Sequence, residues 1–269
     1  MIAQLALALV FGLLIGSFLN VCIHRWPLDL SVVRPRSHCP ACEKPIAWYD
    51  NIPVVSFAIL GGRCRHCRAR ISWRYPFVEL ATAALFLYCV STLGFTLEAA
   101  KMCCLTAMLV ALVFTDLEQR ILPDEFTIGG TVLGVAFAFF VPVPDITFAA
   151  LSWLVNVQLH APWVSVAESL TGALLPALFL WGGGWLYFKI RHREGLGFGD
   201  VKLIAMVGSF LGLRGALFTL LIGSTVGSIL GYAYIKLTHK DASAYELPFG
   251  TFLGAAALFA SLAVKSWNL

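Results

Sequence analysis

Apolar runs fill this chain almost from end to end, and that restricts its solvent before anything else. They fall at about 2–23, 77–97, 101–118, 125–142, 165–188, 201–213, 215–236 and 248–264. Most approach the ~20 residues that a helix needs to cross a hydrocarbon core of ~30 Å. With 59% of residues hydrophobic and 13% charged, a water-facing surface would lack the polar groups to cover it. The expected fold is an all-α integral membrane protein, a polytopic bundle of about eight transmembrane helices. The 201–213 run is short for a full crossing and is expected to be tilted, partial or extended at its ends. No basic residue precedes the first run, so it reads as a retained anchor rather than a signal peptide.

Basic residues then orient the bundle. Nine of the 19 Lys and Arg lie in 24–76, none lies in 121–188, and smaller clusters follow at Lys189–Lys202 and at Lys236 and Lys240. The positive-inside rule makes the crowded side cytoplasmic and puts both termini outside. The net charge of +4 follows from this bias. Basic residues at membrane ends read as topology and contact with anionic lipid, and no nucleic-acid binding is expected.

Three parts follow: a first transmembrane helix at 1–23, a polar cytoplasmic insert at 24–76, and a helical bundle at 77–269. The 142–164 segment, rich in Pro and Trp, reads as an outside loop or interfacial segment. Cys22, Cys89, Cys103 and Cys104 sit in apolar runs and read as small buried hydrophobes. Cys39, Cys42, Cys64 and Cys67 form C-P-A-C and C-R-H-C. Two such turns can direct four thiolates at one ion, the ligand set of a structural zinc site in a small zinc-ribbon-like insert. The alternatives are disulfides, disfavoured in a reducing cytosol, and metal-free or redox thiols. His38 and His66 beside the knuckles are read as bystanders.

Carboxylates at membrane depth are functional candidates by default. Asp116 ends one apolar run and Asp200 begins another, so the topology puts both at the cytoplasmic end of a span. Two facing carboxylates there would share one proton and titrate as a unit, the aspartic-protease arrangement. The bland reading is two helix-end carboxylates wetted by the interface. Gly195, Gly197 and Gly199 are read as allowing close backbone approach by a peptide. Asp124 and Glu125 are read as capping the next helix. Lys202 reads as a counter-ion for Asp200 or a topology anchor. Glu79 is open as a partner, substrate contact or snorkelling group.

A series of short stretches runs in order along the chain: G-S-F-L-N-V at 16–21, R-S-H-C-P-A-C at 36–42, D-N-I-P at 50–53, G-G-R-C-R-H-C at 61–67 and R-Y-P-F-V-E-L at 74–80. They continue with D-L-E-Q-R-I-L-P-D at 116–124, G-F-G-D-V-K-L at 197–203 and L-P-F-G at 247–250. In this series the chain resembles the bacterial prepilin peptidases of type IV pili and type II secretion. The resemblance implies an inner-membrane aspartyl endopeptidase with Asp116 and Asp200 as its catalytic pair. It implies removal of a short basic leader from prepilins or pseudopilins after Gly, on the cytoplasmic side. It also implies N-methylation of the new terminus with S-adenosylmethionine. No Gly-rich dinucleotide-type loop is present, so the sequence places neither the donor site nor the oligomeric state. Glu79, Glu118 and Glu194 are expected to attract the basic leader. Two competing readings are a presenilin-like intramembrane protease and a non-enzymatic transporter or scaffold with a zinc-stabilised loop.

Overall fold

A computed structural model describes residues 1–143, 145, 147, 160–193, 195–238 and 248–267. Glu194, Lys240 and most of the 142–164 segment lie outside them. The helices are α1 (Ile2–Arg25), α2 (Val55–Ile59), α3 (Arg74–Leu93), α4 (Leu97–Gln119), α5 (Asp124–Ala138), α6 (Ala161–Arg191), α7 (Phe198–Thr238) and α8 (Phe249–Trp267). Among the described residues there is no strand, only isolated bridges in the insert. The protein is an all-α, multi-pass membrane protein. Five of these helices are long and apolar enough to cross a bilayer, and α8 contributes a shorter apolar stretch, Phe249–Ala263.

The eight expected runs all fall on helices. The runs at 201–213 and 215–236 are two limbs of α7, whose 41 residues would otherwise form a rod of roughly 60 Å, twice a membrane's core. The break is at Gly212, with φ 74° and ψ −175°, a conformation that only glycine adopts without strain. Asp145 Oδ2 accepts the Arg214 N–H there at 3.1 Å, which satisfies a donor that the break would leave open.

The chain divides into two units, Met1–Ala111 and Leu112–Leu269, with the boundary inside α4. In the first, α1 lies against α3 at two small residues. A Cβ on Gly12 would come within 2.5 Å of Ala83 Cα, and one on Gly16 within 2.6 Å of Glu79 Cα. Asn20 Nδ2 donates to the Tyr75 carbonyl at 3.0 Å. Close backbone approach and interhelical hydrogen bonds of this kind replace hydrophobic driving force in lipid.

The second unit is built on α7. Gly172 of α6 meets Gly208 so closely that a Cβ on Gly208 would lie 1.9 Å from the Gly172 carbonyl oxygen. Ser169 donates to the Ser209 carbonyl at 2.7 Å. Gly208→Val is expected to destabilise the unit by roughly 1–3 kcal/mol or more, the cost of overpacking a site whose obstacle is rigid backbone. A thermal melt in detergent checks this, and an unchanged melting temperature would refute the crossing.

Candidate active site and metal centre

The local chain path explains how the first aspartate is presented. Asp116 lies on the last turn of α4. Arg120 then takes a left-handed conformation, φ 56°, with its N–H returning to the Asp116 carbonyl at 2.9 Å, a helix stop. Three residues on, Pro123 is the N-cap residue of α5. The short link turns Leu122 inward, where it is buried. Asp200 stands in the first turn of α7, its N–H bonded to the Gly197 carbonyl at 3.1 Å.

Both carboxylates are withdrawn from solvent, Asp116 at 5% exposure and Asp200 at 8%. A Cβ on Gly199 would lie 3.2 Å from Leu122 Cβ, so Leu122 borders the residue before Asp200 as well as the surroundings of Asp116. Leu122 and Gly250 complete the surroundings. A Cβ on Gly250 would lie 3.0 Å from Asp116 Cγ and 3.0 Å from Leu122 Cδ1. Thr251, at the start of α8, gives Asp116 Oδ2 two hydrogen bonds, from its N–H at 2.5 Å and its hydroxyl at 2.7 Å. The carboxylate is thereby fixed by donors 135 residues away in sequence. Sequence reasoning missed Thr251, although L-P-F-G at 247–250 pointed to its neighbourhood.

Other sequence candidates are placed differently from expectation. Lys202 pairs with Asp124 rather than with Asp200. Asp124 and Glu125 stand in the first turn of α5, where acids complement the helix dipole, but the helix has no side-chain cap bond, and the Thr127 hydroxyl donates to the Pro123 carbonyl at 3.1 Å. Of the three glycines, Gly199 lies against Leu122 and Gly195 against the Tyr187 ring, so the close approach they allow is to the chain itself. Gly197 lies against the Asp200 carboxylate.

Glu79 belongs to the first unit. It is buried, and its Oε2 accepts the N–H of Val54 at 2.7 Å. Val54 has φ 62°, a strained value for a β-branched residue. Ser17 of α1 also bonds to Glu79. Glu79 thus ties α1, α3 and the start of α2 together, which explains why G-S-F-L-N-V, D-N-I-P and R-Y-P-F-V-E-L belong to one assembly. Glu118, another candidate for the leader, is exposed on the last turn of α4.

The four insert cysteines converge. Their sulfurs all lie within 4.8 Å of one another, and Cys39 and Cys67 are 3.7 Å apart. Zinc–sulfur bonds of ~2.3 Å in a tetrahedron require an edge of ~3.8 Å, so the donor set fits that geometry with a contraction of at most about an ångström. The two knuckles are built alike, a local duplication that the sequence reading did not detect. In the first, the Cys39 N–H donates to the Lys44 carbonyl and the Glu43 N–H to the Cys39 carbonyl. In the second, Cys64 donates to Ala69 and Arg68 to Cys64. Glu43 and Arg68, each directly after the second cysteine, both have positive φ. Backbone N–H groups of Cys67 and His66 directed at Cys64 lower its thiol to about 6, which favours the thiolate form that binds metal. His38 Nδ1 faces the Arg36 carbonyl at 3.3 Å, and neither His38 nor His66 is in the cluster.

Comparison with known proteins matches this chain to two family models. Residues 10–93 match the bacterial peptidase A24 N-terminal domain, and residues 103–232 match the type IV leader peptidase family. A Pseudomonas aeruginosa protein named prepilin leader peptidase/N-methyltransferase is 34% identical over 278 residues, covering 94% of this chain and 88% of its own length. The chain belongs to the type IV leader peptidase family. An Aeromonas hydrophila relative with the same name is 35% identical, covering 98% of this chain and 93% of the relative. A Myxococcus xanthus relative, also so named, is 41% identical over 86% of the chain, and there the match spans 63% of the relative's length. No solved structure gives a significant match. The two family segments bracket the two centres: the cysteine cluster falls in the first, and Asp116 and Asp200 fall in the second.

Proposed function

We propose that this protein is an aspartyl endopeptidase of the bacterial inner membrane. It removes the short basic leader of type IV prepilins or pseudopilins and N-methylates the new terminus with S-adenosylmethionine. The observation that carries the reading is the pair of buried carboxylates, Asp116 on the last turn of α4 and Asp200 on the first turn of α7, with Leu122 bordering both neighbourhoods. Family membership and the relatives' names support it. The bundle at 77–269 carries the peptidase site, and 24–76 is the metal-stabilised insert.

The two aspartates have different work. Asp116 Oδ2 accepts two hydrogen bonds from Thr251, donors that stabilise a carboxylate's charged form, and on that ground Asp116 is assigned as the base that takes a proton from the attacking water. Asp200 is the acid that hydrogen-bonds to the scissile carbonyl and stabilises its developing charge. Breakdown of the tetrahedral intermediate delivers a proton to the leaving amine, and that amine is the group to be methylated. S-adenosylmethionine supplies an electrophilic methyl group to it. Cys39, Cys42, Cys64 and Cys67 would hold Zn²⁺ in a closed, four-thiolate shell that shapes the insert and takes no part in either reaction.

The basic residues of 24–76 support a cytoplasmic catalytic side with both termini outside. A prepilin's basic leader would remain there while its apolar helix stays in the bilayer, bringing the scissile bond to the interface.

Mass spectrometry of a prepilin incubated with purified protein and S-adenosylmethionine tests both activities. The expected products are a chain without its leader and a gain of about 14 Da on the mature chain, one methylation. Cleavage without that gain would remove the methyltransferase half, and no cleavage by folded protein would overturn the whole reading.

A further inference from the structure

A cavity of about 280 Å³ opens where α1 ends and the insert begins, and neither the proposed catalytic aspartates nor the four clustered cysteines are among its lining residues. Its lining includes Arg25, Arg36, Ser37, Trp48 and Asn51, and no carboxylate is among the lining residues. Arg25, the last residue of α1, is 8% exposed. It donates from Nη1 to the Ser31 carbonyl at 2.9 Å and from Nη2 to the Pro35 carbonyl at 2.8 Å. Those two bonds fold the 31–35 strap over the cavity and leave the guanidinium with further donors. Two guanidinium groups, a hydroxyl and an amide with no opposing negative charge form a receptor for an oxyanion. The same positive charge makes the cavity unsuited to a sulfonium such as S-adenosylmethionine.

The rim identifies the source of that anion. Val33, which lines the cavity, is 77% exposed, Trp48 is 74% exposed, and Leu28 and Leu30 nearby are also exposed. A receptor for a soluble phosphate has no use for an aliphatic and aromatic rim. A membrane interface does: Trp belongs at headgroup level and arginines at the end of a spanning helix face anionic lipid. α1 is one of the candidate spans, so a cavity at its last residue lies at that level.

We propose that this cavity binds the phosphate headgroup of an anionic phospholipid, with Arg25 and Arg36 as its ligands and Trp48 and Val33 against the glycerol and upper acyl chain. The site is independent of the proposed enzymatic reading.

Native mass spectrometry of the full-length, metal-loaded protein in detergent tests it, with phosphatidylglycerol, phosphatidylcholine and inorganic phosphate as separate probes. Phosphatidylglycerol is expected to bind at least about fivefold tighter than phosphatidylcholine, and Arg36→Gln to erase about that factor. Arg34→Gln removes the same charge from an exposed neighbour outside the lining and is expected to change nothing. Equal losses in both variants would reduce the effect to surface charge and overturn the site. Inorganic phosphate displacing the lipid at comparable concentration would assign it to a soluble anion and overturn the lipid. Should Arg36→Gln fail to fold, Trp48→Ala reads the same preference, and lipid selectivity unchanged in it would count against the proposal. Leader cleavage followed in parallel reports on the enzymatic reading alone.

Discussion

Asp200→Asn and Asp116→Asn are each expected to lower leader cleavage by about 10³-fold or more while the protein stays folded, the scale set by losing an essential acid or base. Asparagine has nearly the volume of aspartate, so the packing of Gly197, Gly250 and Leu122 around the pair is retained and the loss is chemical. The two variants should differ in one respect. The Thr251 N–H and hydroxyl both donate to Asp116 Oδ2, and an asparagine can satisfy them only with its single carbonyl oxygen facing Thr251. The amide then takes the place of Oδ1, beside Gly250. Asp116→Asn thus removes the base and also replaces an acceptor with a donor there. Thr251→Val separates orientation from chemistry. It removes the hydroxyl and keeps the N–H, so kcat should fall about tenfold with KM nearly unchanged, the mark of an interaction realised at the transition state. Initial rates on a fluorogenic leader peptide, with thermal melts alongside, check all three. Wild-type rates in both asparagine variants would remove the aspartates from the chemistry, and a changed KM with constant kcat for Thr251→Val would make Thr251 a binding residue.

Much of this architecture is legible from local pattern because the bilayer imposes it. Each apolar run becomes a helix, since no other isolated segment satisfies its backbone in lipid. The break at Gly212 was anticipated as a boundary between two runs, although the structure keeps helix on both sides. Asp116 and Asp200 were singled out because carboxylates at a span's end are costly. The contacts that tune the site were not legible. Thr251 reaches Asp116 across 135 residues and Lys202 reaches Asp124 across 78, and no periodicity encodes such pairings. Glu79 was marked as unusual for the right physical reason, its depth in an apolar helix. Its partner, the backbone N–H of a strained Val54, depends on a loop conformation that composition does not specify. The extent of the knuckle duplication is not legible because, beyond the cysteines, the two segments share only a charged residue after each pair and an isoleucine, Ile46 and Ile71, three positions on. What repeats is backbone geometry.

Chelation of the metal, or Cys64→Ser, is expected to unfold the insert while leaving the helices in place. The reason is the near absence of a core there. Between residues 26 and 73 the buried positions are Cys39, Pro53 and Ser56, far too little apolar area to offset the entropy of ordering almost fifty residues. Other fastenings are present but of the wrong size. Arg65 holds Asp50 through two hydrogen bonds at 2.7 and 2.5 Å and keeps its carboxyl below the usual range. The arginine is 47% exposed, and solvent screening leaves such a pair little to contribute. The Glu79 bond to Val54 fixes one point of the chain. A four-thiolate zinc site supplies apparent binding energies of about 10–16 kcal/mol, the one contribution here large enough to decide whether the insert folds. Elemental analysis should therefore find about one zinc per chain in the wild type and almost none in Cys64→Ser. Limited proteolysis should then cut within 24–76 and spare the membrane helices. Arg65→Gln should keep its zinc and resist the protease nearly as well as the wild type. A Cys64→Ser protein that stayed protease-resistant without metal would mean that packing holds the insert, and the cluster of four sulfurs would lose its structural role. Cys104→Ser, which alters a thiol outside the cluster, controls for the substitution itself and should retain both metal and resistance.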